Sequence, residues 1–234
     1  MSAPSTNTPR PRLHVLIPCA GSGSRAGTPQ PKQYQQVAGK SLVAHTLAAF
    51  ARVPELATVL VAVAPGDRTL SGQRGIVLAE CGGATRAETV RNGLAVLAGG
   101  GAAEHDWVLV HDAARCLITP ALVGALIAAC EADPVGGLLA LPLADTLKRE
   151  EGGRSAGTLP RAGHWLAQTP QMFRLGLLGR ALEGAGAEVT DEASAVERLG
   201  HRPLLVPGAA RNFKVTWPDD FAIAEALLLK EHTP

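Results

Sequence analysis

The sequence lacks an excess of charge of either sign. Its 234 residues include 22 Lys plus Arg and 21 Asp plus Glu, which gives a formal net charge of +1 at pH 7. Because nucleic acids and anionic membranes attract proteins through a broad positive field, this balance argues against both kinds of partner. Any recognition of an anionic ligand must therefore come from a local group of basic residues.

Paired cysteines are also missing. The four cysteines are widely spaced, with no C-x-x-C pattern: Cys19, Cys81, Cys116 and Cys130. This spacing excludes the usual zinc clusters and disulfide frameworks. His14, His45 and His111 have no second ligand at metal-binding spacing either. We therefore predict a reducing, cytoplasmic location.

Long apolar runs are absent as well. The run at 121–130 is too short to cross a bilayer and is followed by acidic residues. The run at 13–20 is short for a signal peptide and is interrupted by His14 and Pro18, so it is better interpreted as a strand. We predict no membrane partner for this chain.

The length predicts one α/β domain. Residues 1–11, rich in Ser, Thr and Pro, are expected to form a disordered leader, and residues 12–234 a single domain. Strands predicted around the apolar run 15–17 and at 58–64, 75–79 and 106–111 alternate with helical patterns that include 41–50 and 119–130. Such alternation indicates a Rossmann-like, mostly parallel twisted sheet flanked by helices. Ligands then bind beyond the carboxyl ends of the strands.

The region 136–168 departs from this alternation. It is predicted to form two strands, 138–148 and 158–167, around the glycine-containing segment 150–157. A two-stranded ribbon is marginally stable alone, so we expect this β arm to pack against a second copy of the chain as a homodimer. Further on, helices are predicted at 173–183, 190–199 and from Pro218, with a strand at 202–206. Asp191 and Glu192 are interpreted as charges that complement a helix start.

The segment 13–32, LHVLIPCAGSGSRAGTPQPK, joins the first strand to a glycine-rich basic loop. Gly21, Gly23 and Gly27 allow a sharp turn and a close approach of the backbone to a ligand. Exposed backbone N–H groups bind anions, and Arg25 and Lys32 add positive charge. The loop is therefore predicted to bind phosphate groups such as those of a triphosphate.

Three other interpretations of this loop compete with phosphate binding. Gly21, Gly23 and Ala26 match the dinucleotide fingerprint, but prolines prevent the helix that must follow and no suitable acidic residue comes about 20 positions later. Residues 39–41 imitate the end of a Walker A loop, but Tyr34 replaces its first glycine. A glycine-rich turn with solvated basic residues is the third alternative.

Seven segments occur in an order that resembles the 2-C-methyl-D-erythritol 4-phosphate cytidylyltransferase family. They are PCAGSGSRAG with Lys32, GGATRAETV at 82–90, VHDAAR at 110–115, ADTLK at 144–148, QTPQMF at 168–173, TDEASAVE at 190–197 and NFKVTWPDD at 212–220. The resemblance implies transfer of CMP from CTP to the phosphate of methylerythritol phosphate, with Mg²⁺ and release of pyrophosphate. The expected step is an in-line displacement in which cations stabilise the growing charge. It assigns this catalytic role to Arg25, Lys32 and Lys214.

The resemblance also implies a set of nucleotide contacts. The residues expected to bind CTP are Pro18, Cys19, Ala20, Gly21, Gly23, Gly83, Ala84, Thr89, Asp112 and Ala113. Three of these positions depart from the common pattern, because Cys19 stands for an alanine, Ala84 for an acidic residue and Thr89 for a serine. We expect backbone contacts to preserve selectivity for the base. Asp112 is the expected carboxylate for Mg²⁺, since phosphates and water complete such sites.

The acceptor phosphate is expected to contact a second set: Asp112, Arg115, Arg161, Thr169, Thr190 and Lys214. Arg161 lies on the predicted arm, so active sites shared between subunits are expected. Two alternatives stay open. One is a cytidylyltransferase acting on ribitol 5-phosphate, and the other is a non-catalytic nucleotide-binding module, against which the joint presence of Arg25, Lys32, Asp112 and Lys214 argues.

Overall fold

A computed structural model of the chain describes residues 10–21, 31–184 and 189–231. The strands are β1 (Leu13–Pro18), β2 (Gln36–Val37), β3 (Lys40–Ser41), β4 (Leu56–Ala62), β5 (Val77–Ala79), β6 (Trp107–Val110), β7 (Gly136–Pro142), β8 (Leu147–Glu151), β9 (Arg154–Leu159), β10 (Trp165–Arg174) and β11 (Leu204–Pro207). The helices are α1 (Leu42–Phe50), α2 (Arg86–Gly99), α3 (Pro120–Cys130), α4 (Leu175–Leu182), α5 (Glu192–Arg198) and α6 (Pro218–Glu231). None of the helices in these ranges combines the length and apolarity that a membrane span needs.

Seven strands form the central sheet in the order β11, β7, β10, β6, β1, β4, β5. β1 pairs in parallel with both β4 and β6, and β7 pairs in parallel with β11. The predicted mostly parallel α/β fold is therefore confirmed. Because β1, β4, β5 and β6 point the same way, the loops that follow them meet at one edge of the sheet.

Alternate residues of the central strands pack against opposite helical layers. Val15 and Ile17 face the layer that contains α1 and α3, whereas Leu16 faces the layer that contains α2, α4 and α5. α2 lies so close to β1 that a Cβ at Gly93 would stand 2.5 Å from a Leu16 methyl carbon. The middle of α2 therefore packs directly against β1.

Local capping explains where the main helices begin. Ser41 accepts from the Ala44 amide and Thr119 accepts from the Leu122 amide, as the sequence predicts. Thr85 likewise accepts from the Glu88 amide at the start of α2. At α5, Asp191 and Ser194 form a reciprocal capping box.

The prediction for 136–168 is correct about a hairpin but wrong about its extent. Each predicted strand is divided: β7 and β10 belong to the central sheet, and only β8 and β9 pair as a separate two-stranded ribbon. The division corresponds to burial: residues 136–140 are buried in the central sheet, whereas nearly all of 147–159 are exposed. The β arm thus comprises residues 147–159.

β10 is the strand that the sequence pattern did not reveal in full. It continues through Arg174, whereas a helix was predicted from residue 173, and it lies antiparallel between β6 and β7. Polar Gln168 and Gln171 and the adjacent Pro170 interrupt the apolar pattern that marks a buried strand. The ladder with β7 is irregular between Ala167 and Gln171, which leaves residues 168–170 beyond the end of β6.

Candidate active site

A cavity of about 530 Å³ opens at the edge where the loops after β1, β5 and β6 meet. Its lining includes eleven of the predicted site residues: Pro18, Cys19, Ala20, Gly21, Lys32, Gly83, Ala84, Thr89, Asp112, Ala113 and Lys214. Four further residues line it without having been predicted: Gln33, Thr85, Arg86 and Ala114. Gly23 and Arg25 lie outside the residues that the structure describes.

Asp112 is the acidic residue in this lining, and three cations surround its carboxylate. Oδ1 accepts from Arg86 Nε at 3.0 Å, and Oδ2 lies 2.9 Å from Lys214 Nζ and 3.7 Å from Arg115 Nε. Burial disfavours the ionised carboxylate, but the charges of Arg86, Lys214 and Arg115 outweigh burial and hold the pKa of Asp112 well below its usual value. Asp112 is therefore ionised near neutral pH and pairs with the cations that surround it.

Lys214 reaches this cluster from the C-terminal part of the chain. The Val215 amide donates to the Ala114 carbonyl at 2.9 Å, which places residue 214 directly beside the loop after β6. Lys32 Nζ donates to the Val215 carbonyl at 2.7 Å. The two lysines predicted to stabilise transferred charge thus line one cavity, although 182 positions separate them in sequence.

Arg86 makes a second ion pair behind Asp112. Its NH1 and NH2 groups donate to the two oxygens of Glu192 at 2.6 and 3.1 Å. Glu192 is only 1% exposed, so its carboxylate is buried against the Arg86 guanidinium. The interpretation as helix-start charges is correct for both residues, because Asp191 caps α5 and Glu192 lies in its first turn, and Glu192 in addition pairs with Arg86.

Thr169 supports Asp112 from behind the cavity and does not line it. Its Oγ1 accepts from the Asp112 amide at 3.1 Å and lies 3.1 Å from His111 Nδ1. His111 Nε2 lies 3.2 Å from the Arg115 carbonyl, so Nε2 carries the proton and the Thr169 hydroxyl donates to Nδ1. Burial lowers the pKa of His111 to about 3, which keeps the ring neutral in this arrangement. The Thr169 hydroxyl therefore makes its hydrogen bonds to the Asp112 amide and the His111 ring, and not to the cavity.

The remaining residues predicted for the acceptor also lie outside the cavity lining. Arg115 is largely buried and braces two backbone segments, donating to the carbonyls of Asn212 at 2.7 Å and Ala167 at 3.3 Å. Thr190 is exposed at the start of α5. Arg161 is exposed next to the β arm and donates to the Ala144 carbonyl. Most of the residues predicted to bind CTP therefore line one cavity of a single chain, whereas most of those predicted to bind the acceptor do not.

Backbone geometry shapes the mouth of the cavity. Gln33 Nε2 donates to the Cys19 carbonyl at 3.0 Å and the Gly21 carbonyl at 2.9 Å, which holds the first residues after β1 in place. A Cβ at Gly82 would stand 2.4 Å from the Ala20 Cβ, so only glycine permits these two loops to approach so closely. Cys19 is buried, and burial raises the pKa of its thiol to about 12, which excludes it as a thiolate nucleophile near neutral pH.

The segment that follows Gly82 is held by side chains of α2. Thr89 Oγ1 accepts from the Gly83 amide and donates to the Thr85 carbonyl, each at 3.0 Å. The Glu88 carboxylate accepts from the Ala84 amide at 2.9 Å. The Glu88 carboxylate thus lies next to position 84, where the common family pattern has an acidic residue and this chain has alanine.

The residues present fit a magnesium ion that is coordinated mainly by a ligand. Among the described residues, no group of three or more His, Cys, Asp or Glu side chains is placed to hold a metal. Asp112 is the carboxylate of this lining, and its two oxygens already pair with Arg86 and Lys214. Phosphates and water would therefore supply most of an octahedral Mg²⁺ shell, and Asp112 would hold the ion only by giving up one of these pairs.

A mostly parallel sheet, a cavity at the carboxyl edge of its strands and cations gathered around one carboxylate define a nucleotidyltransferase of the α/β class. Residues 13–230 match the model of one family, 2-C-methyl-D-erythritol 4-phosphate cytidylyltransferase. The chain belongs to this family, which confirms the resemblance seen in the sequence.

Individual relatives agree with the family match. The cytidylyltransferase of Burkholderia multivorans is 55% identical over 230 residues, which cover 94% of this chain and 97% of that protein. The bifunctional enzyme IspD/IspF of Albidiferax ferrireducens is 64% identical over 224 residues, but the match covers 94% of this chain and only 53% of that protein. A crystal structure of 4-diphosphocytidyl-2C-methyl-D-erythritol synthase superposes with a TM-score of 0.84 at 44% identity, covering 94% of this chain and all of that one.

Sequence reasoning missed Gln33, Arg86 and Glu192 as parts of the site. Arg86 and Glu192 lie inside motifs that carry the family resemblance, but their pairing spans 106 positions and leaves no local pattern. One signal was available for Arg86. A positive charge at the first position of a helix is disfavoured by the helix dipole. An arginine at that position therefore indicates a role other than stabilising the helix.

Proposed function

We propose that this chain transfers CMP from CTP to 2-C-methyl-D-erythritol 4-phosphate, giving 4-diphosphocytidyl-2-C-methyl-D-erythritol and pyrophosphate, in the non-mevalonate route to isoprenoid precursors. The observation that carries the proposal is the joint placement of Lys32, Asp112 and Lys214 around one cavity in a chain that matches the family over residues 13–230. The lysines of this cavity can bind the negative charge of a triphosphate. The side of the cavity formed by Gly83 can accommodate a flat base.

In the proposed reaction, a phosphate oxygen of the acceptor attacks the α-phosphorus of CTP. The new P–O bond forms as the bond to the bridging oxygen breaks, and the electron pair leaves with pyrophosphate. Lys32 and Lys214 stabilise charge that grows on the equatorial and leaving oxygens, and Arg25 is proposed for the same role from the glycine-rich loop. Mg²⁺, when bound, supplies further neutralisation of the triphosphate, with Asp112 as its protein ligand.

Asp112 has a second role that follows from the described geometry. Its carboxylate accepts a hydrogen bond from Lys214 Nζ and so fixes the direction of that cation before any substrate arrives. A preorganised cation costs no reorganisation at the moment of reaction, which is why such groups stabilise transition states well.

Selection of cytosine is proposed to rest on the backbone around Gly83 and Ala84, together with the hydroxyl of Thr89 that holds this turn. The close contact of Gly82 with Ala20 narrows this side of the cavity. We therefore expect a pyrimidine to fit and a purine to be excluded.

A homodimer is part of the proposal. β8 and β9 pair with each other and with no strand of the central sheet, and a ribbon of this size needs a further surface to pack against. Arg161, next to this ribbon, is proposed to reach the acceptor bound to the other subunit. A cytoplasmic location is also proposed, because all four cysteines are free thiols.

The test is a pyrophosphate-release assay with CTP, Mg²⁺ and 2-C-methyl-D-erythritol 4-phosphate. We expect turnover with this acceptor, and little with ATP, GTP or UTP in place of CTP. Faster turnover with ribitol 5-phosphate would favour the alternative acceptor. Binding of CTP without pyrophosphate release for either acceptor would favour a non-catalytic nucleotide-binding module.

A further inference from the structure

Arg86 stands between two buried carboxylates that belong to different parts of the chain. Its Nε donates to Asp112 Oδ1 at 3.0 Å, while NH1 and NH2 donate to Glu192 at 2.6 and 3.1 Å. The side chain is 29% exposed, toward the cavity, and the Glu192 side chain only 1%. One guanidinium therefore connects the cavity floor with the first turn of α5.

The helix start does not explain the charge of Arg86, and it does not explain why the Glu192 carboxylate is buried. Arg86 occupies the first position of α2, where the helix dipole disfavours a positive charge. Glu192 is the first residue of α5, but Asp191 already caps that helix through a capping box. A carboxylate as buried as Glu192 is costly unless it is paired, so its pairing with Arg86 must offset that cost.

The first turn of α5 is also fixed to the central sheet. Gln171 of β10 donates from Nε2 to Asp191 Oδ2 at 2.9 Å and accepts from the Ala193 amide at 2.7 Å. Glu192 thus projects from a segment that is held on both sides. It is a rigid anchor for the outer end of the Arg86 guanidinium.

The orientation of that guanidinium decides how the oxygens of Asp112 are shared. With its NH1 and NH2 edge held by Glu192, Arg86 reaches Asp112 through Nε, on Oδ1, and Oδ2 is left for Lys214 at 2.9 Å. Without Glu192, the outer edge is free to turn onto Asp112 and bond both oxygens side by side, the arrangement that arginine and carboxylate groups favour. Lys214 would then lose its partner.

We propose that Arg86 and Glu192 form a positioning pair for the transfer reaction, in which Glu192 holds Arg86 so that Asp112 keeps one oxygen for Lys214. This inference rests on the proposed function, because Lys214 is assigned there to stabilise transferred charge. The pair acts through Asp112 and Lys214, and its charges offset each other, so it adds no net attraction for the triphosphate.

The variants Glu192→Gln and Arg86→Lys test the pair. Glu192→Gln keeps the shape but removes the charge that anchors the guanidinium, and Arg86→Lys keeps the charge but cannot bridge both carboxylates. We expect kcat to fall on the order of 10²-fold in each variant, the scale of a misplaced catalytic group. The Kd for CTP, measured calorimetrically without acceptor, is expected to stay within about threefold, a small change on the affinity scale.

Matched controls are available on the same helices. Glu197→Gln on α5 and Arg91→Lys on α2 change exposed residues of the same type and should leave kcat and the Kd for CTP at wild-type values. Thermal unfolding of each variant separates stability from chemistry. A purely structural role would lower the melting temperature while the folded fraction kept its kcat.

The crystal structure of Glu192→Gln gives a readout that does not depend on turnover. We expect the guanidinium to lie side-on against Asp112 and Lys214 Nζ to be beyond hydrogen-bonding distance of Oδ2. An unmoved Lys214, or an unchanged kcat in a folded variant of an active enzyme, would overturn the positioning role alone. An inactive wild-type enzyme would overturn the proposed function, and the variant structure would still decide the geometry of the pair.

Discussion

Lys32 contacts a residue 183 positions away, because its ammonium group donates to the Val215 carbonyl at 2.7 Å. This contact places its charge at the cavity edge, next to the segment that carries Lys214. A lysine at this position can stabilise the negative charge that develops on the leaving pyrophosphate during the transfer. Its contribution should then be larger in the transition state than in the ground state.

The change Lys32→Ala should therefore reduce kcat much more than it weakens CTP binding. We expect a loss on the order of 10²-fold in kcat, as for removal of other preorganised donors. Steady-state kinetics together with calorimetric titration of CTP measure the two effects separately. Lys40→Ala, at an exposed position of β3, is the control. Equal losses in kcat and in CTP affinity would instead indicate simple anchoring of the substrate.

His111 makes a prediction about stability and pH. Burial lowers its pKa to about 3 in the folded chain from an ordinary value of 6.5, so the unfolded chain binds more protons between these values. Stability should therefore fall as pH decreases from about 6.5 toward 3, with a contribution of up to about 1.4 kcal/mol per pH unit from this ring.

Urea unfolding at pH 7, 6 and 5 measures this contribution. The variant His111→Gln should lose less stability than the wild type over that interval, because its side chain has no proton to gain. His201→Gln changes an exposed histidine and should follow the wild type. Parallel losses in His111→Gln and in the wild type would show that the ring is not the group that titrates.

The β arm is the element whose role depends most on a second chain. β8 and β9 pair only with each other among the described strands, and nearly all of their residues are exposed. Leu159 at the end of β9 and Leu166 in β10 are 43% and 53% exposed, which leaves apolar surface beside the ribbon. Burial of such surface favours association.

Replacing residues 147–159 by a short Gly and Ser linker should therefore convert a dimer into a monomer. The central sheet should remain folded, because the arm belongs to a separate two-stranded sheet. Sedimentation velocity measures the mass and circular dichroism the fold. The control Val77→Ser changes an exposed apolar residue on the β5 edge and should leave the mass unaltered. A shortened chain that still dimerises would locate the interface elsewhere.

At the scale of the whole molecule, the position of Arg161 predicts that active sites are shared. Arg161 is exposed, and it does not belong to the residues that line the cavity of its own chain. If it serves the neighbouring subunit, Arg161→Ala and Lys32→Ala each inactivate a homodimer for a different reason. A mixed dimer then contains one site with both residues intact.

Refolding the two inactive variants together should restore activity. Equal random mixing makes about half of the dimers mixed, with one complete site in each, so about a quarter of the wild-type activity is expected. The pyrophosphate-release assay measures the recovery, and refolding each variant alone is the control. No recovery in the mixture would assign Arg161 to the site of its own subunit.

The sequence by itself determined the features that depend on neighbouring residues or on chain direction. Glycines and caps such as Ser41 and Thr119 fixed turns and helix starts. The alternation of strands and helices fixed a mostly parallel sheet, and parallel strands bring their following loops to one edge whatever the side chains are. The loops after β1, β5 and β6 could for this reason be assigned to one site before the structure was known.

Only the tertiary structure decided which distant side chains meet. The place of β10 between β6 and β7, the pairing of Arg86 with Glu192 and the sharing of Asp112 between Arg86 and Lys214 leave no periodic pattern in the sequence. Hydrogen bonds and ion pairs depend on distances of about 3 Å, and chain folding sets those distances between residues far apart in the sequence.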